Sequence, residues 1–350
     1  MRGTTLLGVA LALAPLLAAC QQTVYLNYDG SIGTGGGGID GGDSGIPSGF
    51  CAGGQIRNVQ GSSESPDIIV ALDRSASMST TSLAGTMSRL DVALADLYDV
   101  VQHYQGSVRF GYVGFPAPAS MSCSNGQACC ADSNFMFPTT MAYQGFHVAT
   151  TACDPTTPQC TTTADRPTDV ALRICGNTYN MFDSQNRNRF VLLVTDGEPS
   201  CGSRDQCSDA QSEIAMLSGN PTQVDTVVIG IGDSGAPCLQ QLALSGGHHL
   251  QNAPYYYHVT SSQDLQTAIS SAVTDLAQIA CTIDIYSPLS NPDRLGVFID
   301  GVPVPHNMYD GWEYQGQDKS TIKLSPSWCD RLLSADANSL KLQSCSMGGP

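Results

Sequence analysis

Positive charge is what this 350-residue chain has least of: Lys and Arg total 15 against 31 Asp and Glu, for a formal net charge of −16. That balance excludes a nucleic-acid partner, because phosphate contacts need a basic surface. Its plain consequence is solubility. No Cys-x-x-Cys pair occurs, and His248 and His249 are adjacent, so the common zinc-ligand spacings are missing. The apolar stretch from Leu6 to Leu17 is too short for a comfortable membrane span. Hydrophobic content is an ordinary 41%, enough to core one large domain and a smaller one.

The first residues read as an export signal. Arg2 supplies a positive n-region, Leu6–Leu17 an h-region, and Leu17-Ala18-Ala19-Cys20 a small-residue cleavage site. This segment resembles the lipobox of bacterial lipoproteins. The resemblance implies removal of residues 1–19, a lipid on the Cys20 sulfur and anchoring through buried acyl chains. Gln21 after the cysteine points to the outer membrane of a bacterial envelope. Half of residues 30–49 are glycine, which cannot bury enough apolar area to fold. Residues 20–64 are therefore expected to form a lipidated, flexible tether, with Cys51 placed to clip its end.

Fourteen cysteines in an exported chain imply disulfides. The local candidates are Cys201 with Cys207, Cys153 with Cys160, and Cys123 with Cys129 or Cys130. A further bond is expected among Cys281, Cys329 and Cys345. With Cys20 lipidated, an odd number remains, so at least one thiol is free or intermolecular.

From about residue 65 the pattern becomes alternating strands and helices. Ile68–Leu72 is a continuous apolar run, as in a strand covered on both faces, and Phe190–Thr195 and Val224–Ile231 read as further buried strands. Val108–Phe115 and Tyr255–Val259 add strands, and Phe146–Ala149 reads as one more. Leu90, Leu94, Leu97, Val101 and Tyr104 mark a helix, as do Leu265, Ile269, Ala272, Leu276 and Ile279. Residues 207–217 and 237–244 read as further helices. The expected fold is α/β: a doubly wound, mostly parallel sheet flanked by helices over residues 65–280. Residues 281–350 show short strands and an Asp300-Gly301 hairpin turn, predicting a small disulfide-stabilised β domain with Trp312 in its core.

Three separated segments carry hard oxygen ligands at element ends. They are Asp73-x-Ser75-x-Ser77 after the first buried strand, Thr168 before a helix, and Asp196 in Thr195-Asp196-Gly197 after another buried strand. In parallel sheets, ligands bind at the carboxyl ends of strands, where Asp73 and Asp196 fall. The constellation resembles the metal-ion-dependent adhesion site of the von Willebrand factor A domain, over residues 65–280. The resemblance implies a Mg²⁺, Mn²⁺ or Ca²⁺ ion ligated by the Ser75 and Ser77 hydroxyls. Asp73, Thr168 and Asp196 then complete the sphere directly or through water. The ion's remaining position favours an Asp or Glu of a partner protein. One departure stands out: Arg166-Pro167 precedes the threonine, where relatives often carry glycine.

Gly232-Asp233-Ser234-Gly235-Ala236-Pro237 resembles the nucleophile segment of trypsin-like serine proteases. The upstream histidines, His103 and His147, lack the Ala-Ala-His-Cys setting of that family, so no triad is expected. The chain is expected to be a non-catalytic, cation-dependent binding module on an envelope lipoprotein. The alternative is a structural envelope scaffold in which the metal site is incidental.

Overall fold

The computed structural model describes residues 54–59, 61–62, 65–118, 130–132, 135–151, 165–181, 187–201, 206–219, 223–232, 236–285, 289, 292–333 and 340–347. Cys20, Cys123, Cys129, Cys153, Cys160 and Ser234 lie outside them. In chain order, β1 (Gly54–Val59) and β2 (Gly61–Ser62) come first. Next are β3 (Asp67–Asp73), α1 (Ala76–Thr80), β4 (Ser82–Ala84), β5 (Met87–Ser88), α2 (Arg89–Tyr104) and β6 (Arg109–Phe115). Then come β7 (Met136–Thr139), α3 (Tyr143–Thr151), α4 (Thr168–Met181), β8 (Arg189–Thr195) and α5 (Gln206–Ser218). β9 (Val224–Ile231), α6 (Ala236–Ser245), β10 (Tyr257–Val259) and α7 (Ser262–Ala277) complete the α/β portion. β11 (Thr282–Ile285), β12 (Leu295–Ile299), β13 (Val302–Val304), β14 (Trp312–Gln315), β15 (Thr321–Leu324), α8 (Pro326–Leu333) and β16 (Leu340–Met347) follow.

The central sheet has the order β10-β9-β8-β3-β6-β7, parallel except for β7 at one edge. Side chains of β3 alternate between two buried layers. Ile68, Val70 and Leu72 join a core with α2, α3 and α7, including Leu97, Val101, Phe146, Ile269 and Leu276. Ile69 and Ala71 join a second core with α4, α5 and α6, including Leu172, Tyr179, Ile214 and Leu242. The doubly wound architecture thus follows from continuous apolar runs with a helix layer on each face. Helix α2 begins with a capping box: Asp91 N–H donates to Ser88 Oγ (3.1 Å), and Ser88 N–H donates to Asp91 Oδ2 (3.0 Å).

Chain order leaves β3 toward β6 and β7, then returns to β8 on β3's other side. The crossover after β3 covers one face and that after β8 the other, so their carboxyl ends flank a topological switch point. Asp73 ends β3, and Asp196 immediately follows β8.

Four expectations are corrected. Phe146–Ala149 is part of α3, not a strand. Phe146 and Thr150, four apart, are both buried, and Val148 is exposed, as helical rather than alternating geometry requires. The tether does not run to residue 64, because β1 pairs antiparallel with β16 and β2 with β11. The β portion is therefore not residues 281–350 alone. It comprises sheets β1-β16-β12-β13 and β14-β15-β11-β2, plus α8, which was not foreseen. Finally, Cys207 bonds Cys238 rather than Cys201, stapling α5 to α6. Cys201 is itself disulfide-bonded elsewhere. The Cys281–Cys329 bond falls within the expected trio. Trp312 is buried as expected, stacked on His306 at 4.1 Å between ring centroids. Asp300 (φ 52°) and Gly301 (φ 75°) make the β12–β13 turn in the conformation that a two-residue hairpin with both central φ positive requires.

Candidate functional site

The site begins with a local turn. Asp73 Oδ1 accepts the Ser75 N–H at 2.8 Å, folding the chain back directly after β3. Ser75 is then the residue preceding α1, and Ser77 lies in that helix's first turn. The two hydroxyls come within 3.1 Å of each other. From the neighbouring strand end, Asp196 Oδ1 accepts the Ser77 hydroxyl at 2.8 Å, across 119 residues of chain. Thr195 donates its hydroxyl to Asp73 Oδ2 at 2.6 Å, which ties the two strand ends together. Asp73, Ser75 and Asp196 are at most 1% exposed. Burial pushes the Asp73 carboxyl above its ordinary range, and nearby Asp196 adds to this; the bonds from Thr195 and the Ser75 amide, and the Arg166 charge, pull the other way.

Two arginines complete the arrangement. Arg166 reaches Asp73 Oδ2 at 3.3 Å through Nε, and Asp196 Oδ1 at 3.1 Å and the Ser77 hydroxyl at 2.8 Å through one terminal nitrogen. Arg89, the first residue of α2, donates to the other Asp196 oxygen at 2.8 Å. The backbone of Arg166 is held by a reciprocal pair of 3.0 Å hydrogen bonds with Ser200. Gly197 makes the approach possible: a Cβ there would lie 2.9 Å from the Arg166 guanidinium carbon. Arg74, inside the motif, turns away from the site. It pairs with buried Asp132 at 2.8 Å and so anchors the segment after β6.

Of the predicted site residues, Asp73, Ser75, Ser77 and Asp196 form one bonded network. Thr168 starts α4 and is buried, but among the described residues it has no direct bond to the other four. Its hydroxyl sits 3.4 Å from the Arg166 carbonyl, so it adjoins the network through Arg166. Arg89 escaped the sequence reading, and Arg166 appeared there only as a departure from the resembled pattern. Arg166 carried a signal in its position, a scarce cation just before Thr168, with Gly197 following Asp196; Arg89, well after Ser77 in the chain, carried none.

The donor set fits a divalent cation. Carboxylate and hydroxyl oxygens are the ligands that Mg²⁺ and Ca²⁺ take. No group of three or more His, Cys, Asp or Glu comes together among the described residues, so such a site here would draw on neutral oxygens, the serine hydroxyls among them, beside its two carboxylates.

No family model matches the chain. No curated protein matches it either. Among solved structures it is similar to the pilus adhesin SpaC of Lactobacillus rhamnosus GG (TM-score 0.48, 13% identity, 82% of this chain and 39% of that one). It is also similar to the manganese-loaded TRAP protein of Plasmodium vivax (TM-score 0.40, 15% identity, 61% and 75%). A third likeness is to proximal thread matrix protein 1 of the mussel byssus, solved with zinc in its MIDAS motif (TM-score 0.39, 17% identity, 65% and 51%). The chain thus spans about two fifths of the SpaC chain. The fold assignment rests on strand order and the two buried layers, and the chemistry of the site on its own oxygens.

Proposed function

We propose that this chain is a lipid-anchored protein of the bacterial cell envelope, at the outer membrane through Cys20. Its α/β domain, of the von Willebrand factor A type, binds a partner protein through Mg²⁺, Mn²⁺ or Ca²⁺. Ser75, Ser77, Asp73 and Asp196 would hold the ion directly or through water, with Thr168 completing the set. A bound ion supplies positive charge that favours an Asp or Glu side chain of the partner. The chain's own contribution is to position neutral hydroxyls, which leave more of that charge unquenched than carboxylates would. The acidic surface argues against nucleic acid, and membrane contact is confined to the lipid. Binding, not catalysis, is the activity.

The observation carrying this reading is the unbroken path from Ser75 to Ser77 to Asp196, with bonds of 3.1 and 2.8 Å at the switch point. The alternative, an envelope scaffold with an incidental site, draws on the arginine pairs that neutralise the carboxylates without a metal. The two separate by experiment. Saturating Mg²⁺ at a hundredfold excess over Kd stabilises the folded chain by about 2.7 kcal/mol, seen as a higher melting temperature. The rise disappears in Asp73→Ala. Partner capture from envelope extract is lost with EDTA or Asp196→Ala in the adhesion reading and persists in the scaffold reading.

A further inference from the structure

Arg166 bonds the very oxygens that a cation would need. Its guanidinium contacts Asp73 Oδ2, Asp196 Oδ1 and the Ser77 hydroxyl at 3.3, 3.1 and 2.8 Å. A Mg²⁺ ion sits about 2.1 Å from its oxygens. An ion on both Ser77 and Asp196 Oδ1 would therefore lie within about 4 Å of the guanidinium nitrogen that bonds them and place two positive centres close together, with the same oxygens shared between them. We propose that Arg166 is a built-in competitor of the metal: its side chain fills the site in the metal-free protein, and must swing out for the cation to bind. This rests on the cation reading above.

Three features support a seat made for that side chain rather than a chance contact. Two carboxylates buried to 1% or less need a positive partner, or one must stay protonated. Arg89 serves only the far oxygen of Asp196, Oδ2, leaving Asp73 and Oδ1 to Arg166. Gly197 keeps clear the space that the guanidinium carbon occupies. The release needs no backbone movement. Ser200 fixes the Arg166 main chain, while the side chain, 16% exposed, has a route to solvent. Arg89 can stay, because its oxygen is not the one shared with Ser77.

The test is Mg²⁺ titration of the full chain by calorimetry, with melting followed in EDTA and in excess Mg²⁺. Arg166→Gln is expected to bind Mg²⁺ at least tenfold more tightly than the unaltered chain. It should melt lower in EDTA and recover in Mg²⁺. Gly197→Ala keeps the arginine but crowds its seat, so it too should bind Mg²⁺ more tightly; it serves if Arg166→Gln fails to fold. Mg²⁺ binding seen in the variants but not in the unaltered chain would be the same competition in stronger form. Equal or weaker affinity in both variants, with binding still abolished by Asp73→Ala, overturns the competition and leaves the cation site standing. No Mg²⁺ binding in any form overturns both.

Discussion

Asp96 lies on α2 with one carboxylate oxygen, Oδ2, buried and without a hydrogen bond among the described residues. Burial, and then repulsion from Asp99 one turn away, raise its carboxyl to about 6 from an ordinary 3.8. A raised acid means that the folded state holds the proton more tightly than the unfolded chain does. The charged form is therefore a cost above about pH 6, relieved as pH falls from about 6 to about 4. Asp96→Asn should stabilise the protein at pH 7, by about 1 kcal/mol once solvent screening is allowed for. It should also flatten the pH dependence between 4 and 6; denaturant melts at pH 4, 6 and 7 check both outcomes. The motif aspartates and serines were legible because each stands at the end of a buried run. The arginines that answer them were not. Arg89 meets Asp196 across 107 residues and Arg166 meets Ser77 across 89, so their reach is a property of the assembled sheet.

Elements were legible where burial was complete. β3, β8 and β9 carry the runs Ile68–Leu72, Phe190–Val194 and Val227–Ile231, and only a strand in a two-sided sheet hides every residue of such a run. Helices α2 and α7 showed as well-spaced stripes, both now packed on one face of the sheet. Short pieces under one-sided cover were harder. Phe-His-Val-Ala alternates like a strand, yet its cover comes from Tyr98 and Tyr112, whose rings meet Phe146 edge-on. Cysteine pairing was illegible for a related reason. Cys207 lies closer in sequence to Cys201, but the packing of α5 against α6 brings it to Cys238, 5.7 Å away between Cα atoms. The Cys281–Cys329 bond joins the segment after α7 to α8 and closes a loop of sequence separation 48. On chain entropy alone, such a closure contributes ~4 kcal/mol. Cys281→Ser combined with Cys329→Ser should cost most of that in a urea melt. A loss under about 1 kcal/mol would mean that α8 is held by its packing, not its bond.

At the scale of the whole molecule, the α/β portion is an insertion. The two β sheets take strands from both sides of it: β1 and β2 before, β11 to β16 after. Their buried residues, among them Ile283, Val297, Ile322 and Leu342, belong to the same continuous core as α2 and α7. Ser107, after α2, also donates to the Leu333 carbonyl at 2.9 Å, so the two portions are joined by polar contact as well. The sequence hid this because β1 follows a glycine-rich stretch and its partner strand is nearly 300 residues away. β1 covers one side of β16 over six paired residues, from Gly54 with Met347 to Val59 with Leu342. A chain starting at Ser65 would leave that side of β16 as an open edge, with unpaired amides and carbonyls that invite another strand. We expect such a chain to lose several kcal/mol and to self-associate, whereas one starting at Phe50 keeps both strands and stays monodisperse at the same concentration. Light scattering beside denaturant melts makes the comparison. Equal behaviour of the two would make β1 a dispensable appendage to the fold.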